Sequence, residues 1–179
     1  MDKSKFIVTN DILMPPTIRF ASASDLPRIV EIYNQGVAAG NANADIDLVT
    51  IADRIDWFND HDQVNFPIYM VEMKNKTVGW GSLSPYRKGR GGLRRTAEIS
   101  YYIDYAYHHR GFGKMIIAHM LEDCHRLGIE NVFAIMLDIN PPSAGLLEYF
   151  GFEKWGHLPG IVNLKGRVCG QLIYGKNLV

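Results

Sequence analysis

The amino-acid sequence predicts one mixed α/β domain, a single layer of sheet with helices on its faces, and three observations carry that prediction. The chain has 179 residues, 47% of them hydrophobic, which suits one domain burying roughly two thirds of the surface its unfolded chain would expose. The apolar residues change period along the chain, from helical spacing to strand alternation and back. Twice in the second half, a β-rich run passes through a turn into a helix and then into another β-rich run. That order calls for parallel strand pairs flanking each of the two later helices.

Residues 1–16 read as a tail, because Met14-Pro15-Pro16 can continue neither a helix nor a central strand. The domain is expected over 17–179. Ile18 and Phe20 alternate with Arg19 and Ala21 as a short strand does, and Ser24 with Asp25 and Pro27 supplies a helix cap and first turn. Leu26, Ile29, Val30, Tyr33 and Val37 follow at helical spacing. After the polar loop Gly40 to Asp47, a second helix is predicted from Val49, Ile51, Ala52, Ile55, Trp57 and Phe58, stopped by Asn59-Asp60. Ile68 to Val71 and Val78 to Leu83 flank Lys74-Asn75-Lys76 and read as a hairpin. Ala97 to Ala106 reads as a buried strand ending before the turn Arg110-Gly111-Phe112-Gly113. A helix with Ile116, Met120, Cys124 and Leu127 on one side then runs to Gly128. Val132 to Leu137 is a further strand, Pro141-Pro142-Ser143 opens a helix ending at Gly151, and strands follow around Glu153 to His157 and Val168 to Tyr174.

Composition narrows the function. Nineteen Lys and Arg balance nineteen Asp and Glu, so no global field draws a polyanion, and neither nucleic acid nor a membrane surface is expected as a partner. The two cysteines, Cys124 and Cys169, are too few for a disulfide scaffold and lack zinc or redox spacing; they read as buried fillers. No metal is expected, since His61, His119, His125 and His157 have no ligand partner four residues on and His108-His109 are adjacent. The N-terminus shows no signal-peptide pattern, and the longest nearly apolar run, Met115 to Leu121, is far shorter than a membrane span. Cytoplasmic residence is the expectation.

The strongest local signal is the strand-to-helix junction His108-His109-Arg110-Gly111-Phe112-Gly113-Lys114. It aims unpaired backbone N–H groups and a helix dipole at one spot, with Arg110 and Lys114 adding charge, as phosphate oxygens require. A nucleotide P-loop does not fit, because Met115 follows the lysine and His109 stands at the first glycine position; a dinucleotide fingerprint fails at Ile116. The other reading of these glycines is a tight turn and nothing more.

At this junction the chain resembles the GNAT superfamily of acetyl-CoA-dependent N-acetyltransferases, through Gly111 and Gly113, with His108 where the family carries Gln or Arg. The resemblance continues through Asn140-Pro141-Pro142-Ser143 and Glu148-Tyr149-Phe150-Gly151-Phe152. Within the superfamily the chain looks most like the phosphinothricin acetyltransferase group, on Ile32-Tyr33-Asn34, Trp57-Phe58, Pro85-Tyr86-Arg87 and Thr96 to Ile103. The resemblance implies a mostly antiparallel, twisted mixed sheet of about seven strands with helices on both faces, and a homodimer. It also implies direct attack of an amine on the acetyl thioester.

On this resemblance Glu98 matches the group's catalytic glutamate. A carboxylate in an apolar strand has a raised pKa and suits a general base; without the motif, a solvent-facing Glu or an ion pair with Arg94 or Arg95 is the plainer reading. The thioester arm would lie along the backbone of Tyr101, Tyr102 and Ile103, whose side chains read as core, and the pyrophosphate on the amides of His109, Arg110, Gly111, Phe112, Gly113 and Lys114. Asn140, by itself a good N-cap, matches a position that contacts the pantetheine arm. The family's usual proton-donating Tyr is replaced by Leu147, and Tyr149 falls about 200° around the helix from Leu147, so no general acid is assigned. The loop 87–95 carries five cations in nine residues; Arg90, with Arg87, is the candidate for an acceptor carboxylate, while a solvated loop or an RNA contact accounts equally for its composition. The expected activity is acetylation of the α-amino group of an amino acid or an analogue such as phosphinothricin or methionine sulfoximine. The alternatives are a polyamine, aminoglycoside or protein N-terminus as acceptor, or a non-catalytic acyl-CoA sensor.

Overall fold

The structure, a computed structural model, describes residues 15–179. Residues 1–14 of the expected tail lie outside the described residues. The first strand, β1 (Thr17–Phe20), leads through a 3-10 turn into α1 (Leu26–Ala39), and a second 3-10 turn, Ala52–Arg54, leads into α2 (Ile55–Asn59). Then come β2 (Ile68–Met73), β3 (Lys76–Pro85), β4 (Thr96–Ile103), α3 (Phe112–Leu127), β5 (Asn131–Leu137), α4 (Pro141–Tyr149), β6 (Glu153–Leu164) and β7 (Arg167–Asn177). The seven strands make one sheet in the order β1-β2-β3-β4-β5-β7-β6, antiparallel except for β4 beside β5.

Alternation along the central strands sorts the core onto two faces. Met70, Trp80 and Tyr102 turn to α1, where they pack with Ile29 and Ile32, and Trp57 and Phe58 lie against the same cluster. Val71, Leu83, Ile99 and Val132 turn to the opposite face and pack with Ile116, Ile117, Met120 and Cys124 of α3 and Leu147 of α4. Gly81 lets α3 come this close: a Cβ there would sit 2.7 Å from the methyl of Met120 and 2.8 Å from Ile116. Both cysteines are buried, as their residue type suggests.

Four expectations need correction. The helix read over 49–58 is one 3-10 turn and the short α2, because Ile51 and Ile55 find no surface to cover and remain exposed. Asp25 takes the cap position of α1 as read, but Ser24 caps nothing: Ser22 caps the 3-10 turn Ala23–Asp25 before the helix, and the Asp25 carboxylate accepts from the Ser22 amide and hydroxyl, both at 2.8 Å. The strand read through Ala106 stops at Ile103, where Asp104 caps the 3-10 turn Tyr105–Tyr107 and pairs with Arg28. Finally, only α3 joins neighbouring parallel strands; β5 and β6 flank α4 and run the same way, but β7 lies between them, antiparallel to both. A tight hairpin at Lys165 and Gly166, with φ of 51° and 98°, folds β7 back into that slot.

One feature of the sheet positions the candidate site. β3 pairs with β4 from Pro85 to Gly79, and β7 pairs with the whole of β5, but β4 and β5 pair only at Thr96, Ala97 and Glu98. Beyond Glu98 the two halves of the sheet part.

Candidate active site

Where the strands part, a cleft of about 600 Å³ opens between Ile99 to Ile103 on one wall and Ala134 to Met136 on the other, with the α3 N-terminus and α4 closing its end. Nearly all backbone polar groups must find partners, yet the β5-facing edge of β4 past Glu98 has no strand beside it. It is available to an extended chain, as an added strand would use it. A smaller cavity of about 230 Å³ adjoins, sharing Ser100, Tyr102, Ile135 and Met136 with the cleft and adding Glu98, Asn43 and Gln171.

The turn into α3 is shaped for an anion. His109 and Gly111 both have positive φ, 60° and 86°, and the first intrahelical bond runs from Met115 N to Gly111 O at 3.0 Å. The amides just before Met115 therefore precede the helical ladder and are left for a ligand. A Cβ at Gly111 would meet nothing within 4 Å, so glycine is there for its backbone angle and not for room. His108, which replaces the family's Gln or Arg, donates from Nε2 to the carbonyl of Ile103 at 2.8 Å and ties the turn to the end of β4. Lys114 lies at the cleft wall, its ammonium 3.7 Å from the centre of the Tyr149 ring.

Most of the residues singled out from the sequence come together here. Tyr101, Tyr102, Ile103, His109, Gly111, Phe112, Gly113, Lys114 and Asn140 all line the cleft. Arg110 does not; its guanidinium lies over the Tyr107 ring, 5.2 Å from the centroid. Asn140 caps α4 by accepting from the Ser143 amide at 3.3 Å. Arg87 and Arg90 line neither cavity: both are exposed, with Arg87 over the Tyr86 ring and Arg90 preceding the turn Gly91–Leu93.

Glu98 stands at the apex of the split and in the wall of the smaller cavity. Its carboxyl is pushed above the ordinary 4.5 by burial alone. Among the described residues it has no ion pair and no side-chain hydrogen bond; Arg95, a partner the sequence offered, pairs with Glu130 instead. Leu147 is fully buried in the cleft wall, and Tyr149 is 66% exposed on another side of α4, which agrees with the absence of a tyrosine donor at this turn.

Tyr101 packs against the core, as the sequence suggests, and its hydroxyl also reaches that of Ser143, 2.5 Å away in the cleft wall. The sequence reading passed over Ser100, Asn43 and Gln171. Counting by twos from Glu98 puts Ser100 and Tyr102 on its face, so Ser100 was within reach of pattern. Asn43, in the loop after α1, and Gln171, in β7, come from distant segments with no local pattern to mark them. The side-chain nitrogen of Asn43 is buried with no hydrogen-bond partner.

Residues 17–153 match the acetyltransferase (GNAT) domain, most of the chain. The chain belongs to this family. It is an acetyltransferase. A Bacillus subtilis protein provisionally named phosphinothricin acetyltransferase YwnH is 36% identical over 163 residues, 90% of this chain and 99% of that one. The L-methionine sulfoximine/L-methionine sulfone acetyltransferase of Pseudomonas aeruginosa is 29% identical over 86% of this acetyltransferase and 90% of its own length. The crystal structure of a GNAT superfamily phosphinothricin acetyltransferase from Sinorhizobium meliloti, in complex with acetyl-CoA, superposes with a TM-score of 0.85 at 25% identity, covering 92% of this chain and 89% of that one.

Proposed function

We propose that this acetyltransferase moves the acetyl group of acetyl-CoA to the α-amino group of a small amino-acid-like acceptor such as phosphinothricin or methionine sulfoximine, with Glu98 as general base. One observation carries the proposal: a desolvated, partnerless carboxylate lines the acceptor-sized cavity that adjoins the donor-sized cleft. A base must take a proton from an ammonium to free the attacking lone pair. Burial without a counter-ion raises the proton affinity of Glu98 toward what that transfer needs. Relatives named for phosphinothricin and for methionine sulfoximine acetylation support the acceptor class.

The residues fit acetyl-CoA as donor. The open turn at His109, Gly111, Phe112, Gly113 and Lys114, with Arg110 at its rim, would hold the pyrophosphate, and the free edge at Tyr101, Tyr102 and Ile103, with Asn140, would hold the pantetheine arm. The donor supplies an activated acetyl thioester. A thiol leaves readily as its thiolate near neutral pH, so no protein acid is required of Leu147. We assign the acceptor carboxylate to Arg90, with Arg87 beside it, on the strength of charge alone, since neither lines the cavity. A cytoplasmic homodimer completes the proposal. Its support is the long edge strand β6, where Trp155, Leu158 and Ile161 are exposed together with Val168 of β7.

A second acceptor class has an observation in its favour. Glu98 is the one ionisable acid or base among the residues lining the smaller cavity apart from Tyr102, which suits a cationic amine such as a polyamine. Thiol release from acetyl-CoA with a panel of amines decides. Turnover confined to compounds bearing an α-carboxylate supports the amino-acid reading, and turnover only with spermidine or an aminoglycoside overturns it. No turnover with any amine of the panel, with acetyl-CoA still bound, overturns the small-acceptor reading and leaves a macromolecular acceptor or an acyl-CoA sensor.

A further inference from the structure

Tyr101 of β4 and Ser143 of the first turn of α4 hold their hydroxyl oxygens 2.5 Å apart. Both residues line the cleft, and among the described residues neither hydroxyl has another hydrogen-bond partner. Two hydroxyls carry two protons, and the bond between them uses one. Whichever oxygen donates, one O–H is left over in the cleft wall. Polar hydrogens removed from bulk water need an acceptor, and the cleft residues on this side of the sheet include the apolar Ile99, Ala134, Met136 and Leu147. A ligand in the cleft can supply that acceptor.

Strand alternation narrows which atom of the ligand it is. Glu98 and Tyr101 are an odd number of residues apart in β4, so their side chains leave opposite faces of the sheet. Glu98 lines the smaller cavity, while Tyr101 packs with Ile99 toward α3 and α4. With the pantetheine arm on the free edge between these faces, an amine freed by Glu98 attacks from one side and sulfur departs toward the other. We propose that Tyr101, held by Ser143, donates a hydrogen bond to the thioester sulfur of acetyl-CoA and to the thiolate that forms as the C–S bond breaks and its electron pair passes to sulfur. Burial raises the phenol above the ordinary 10.0, with the Ser143 hydrogen bond pulling the other way, whereas a thiol ionises near 8.5. The phenol therefore keeps its proton, and the thiolate takes one from water once it has left. Tyr101 holds the departing charge without serving as an acid, and Leu147 has no part in it.

This inference rests on the donor placement proposed above, and its test makes no use of Glu98 or of an acceptor. Free CoA is bound to the protein and its thiol is titrated by the ultraviolet absorbance of the thiolate. In the native protein the bound thiol should be about 10- to 100-fold more acidic than in Tyr101→Phe, the effect of one hydrogen bond to a charged atom. That substitution alters no charge, so Lys114 and His109, which line the same cleft, act equally in both proteins. Ser143→Ala, which keeps the phenol but frees its orientation, should give an intermediate acidity. In turnover, Tyr101→Phe should lower kcat about 10- to 100-fold and leave KM for the acceptor unchanged. Equal thiol acidity in all three proteins overturns the proposal, and loss of melting temperature without change in acidity means that the pair only ties β4 to α4. Failure of the native protein to bind CoA overturns the donor placement and this inference together. An active Glu98→Gln overturns the base and leaves the thiol titration as it stands.

Discussion

Gly111 and Gly89 form a matched pair that separates backbone strain from donor binding. Both have positive φ, 86° and 77°, and at neither would a Cβ meet anything within 4 Å. Alanine at either position therefore costs the left-handed penalty alone, about 1–2 kcal/mol. A chain of this length converts each kcal/mol into roughly 2–4 °C of melting temperature. Gly89→Ala, in the loop between β3 and β4, should lose only stability. Gly111→Ala has a second outlet, because its turn can relax and swing the amides that would hold the pyrophosphate. Binding must then restore the strained turn, and the same 1–2 kcal/mol appears as a roughly 5- to 30-fold weaker Kd. Calorimetric titration with acetyl-CoA and a melting curve on each variant measure both outlets. Whatever part of the strain Gly111→Ala does not show as lost melting temperature it should show as lost affinity. Equal weakening of acetyl-CoA binding in Gly89→Ala, or no change of either kind in Gly111→Ala, would refute the reasoning.

Further outcomes follow from the same structure. Burial raises the folded pKa of Glu98, so its ionised form opposes folding: that stability is whole below the ordinary 4.5 and is lost as pH rises through the folded value. Glu98→Gln removes this slope, and its melting temperature relative to the native protein should climb as pH rises above 4.5; parallel curves would deny that the carboxylate is desolvated. Met120 is fully buried between α3 and β3, so Met120→Ala should cost about 2–5 kcal/mol in urea unfolding, and a loss well under that range would mean the site collapses. Arg90→Ala should raise KM for an α-carboxylate acceptor and leave KM for acetyl-CoA alone; no change in either removes Arg90 from the acceptor site.

Much of the fold was legible because its signals are local. The helix from Phe112 to Leu127 announces itself by Ile116, Met120 and Cys124 on one side and by Gly128 in the left-handed cap at φ 66°. The hairpin at Lys74 and Asn75 does so by its turn residues, both at positive φ. What was not legible depends on tertiary choice. Nothing in the run from Glu153 onward says that β7 will slip between β5 and β6, since only the pairing of distant strands decides it. The stretch at Val49 to Phe58 has helical spacing but no surface for its first half to cover. At the site, the glycine turn and Glu98 were readable from motif, and Ser100 was readable from alternation. Asn43 and Gln171 join Glu98 in one cavity wall only once the sheet and the loop after α1 are in place.

The claim on which the rest depends is that Glu98 removes the proton. Steady-state turnover of Glu98→Gln, with a small amino acid of the phosphinothricin or methionine sulfoximine type as acceptor and acetyl-CoA saturating, tests it directly when paired with calorimetric titration of acetyl-CoA. The amide keeps the size of the side chain and loses only its basicity, so kcat should fall about 100- to 10,000-fold while the Kd for acetyl-CoA stays at the native value. Native turnover in a variant that binds acetyl-CoA normally would contradict the account.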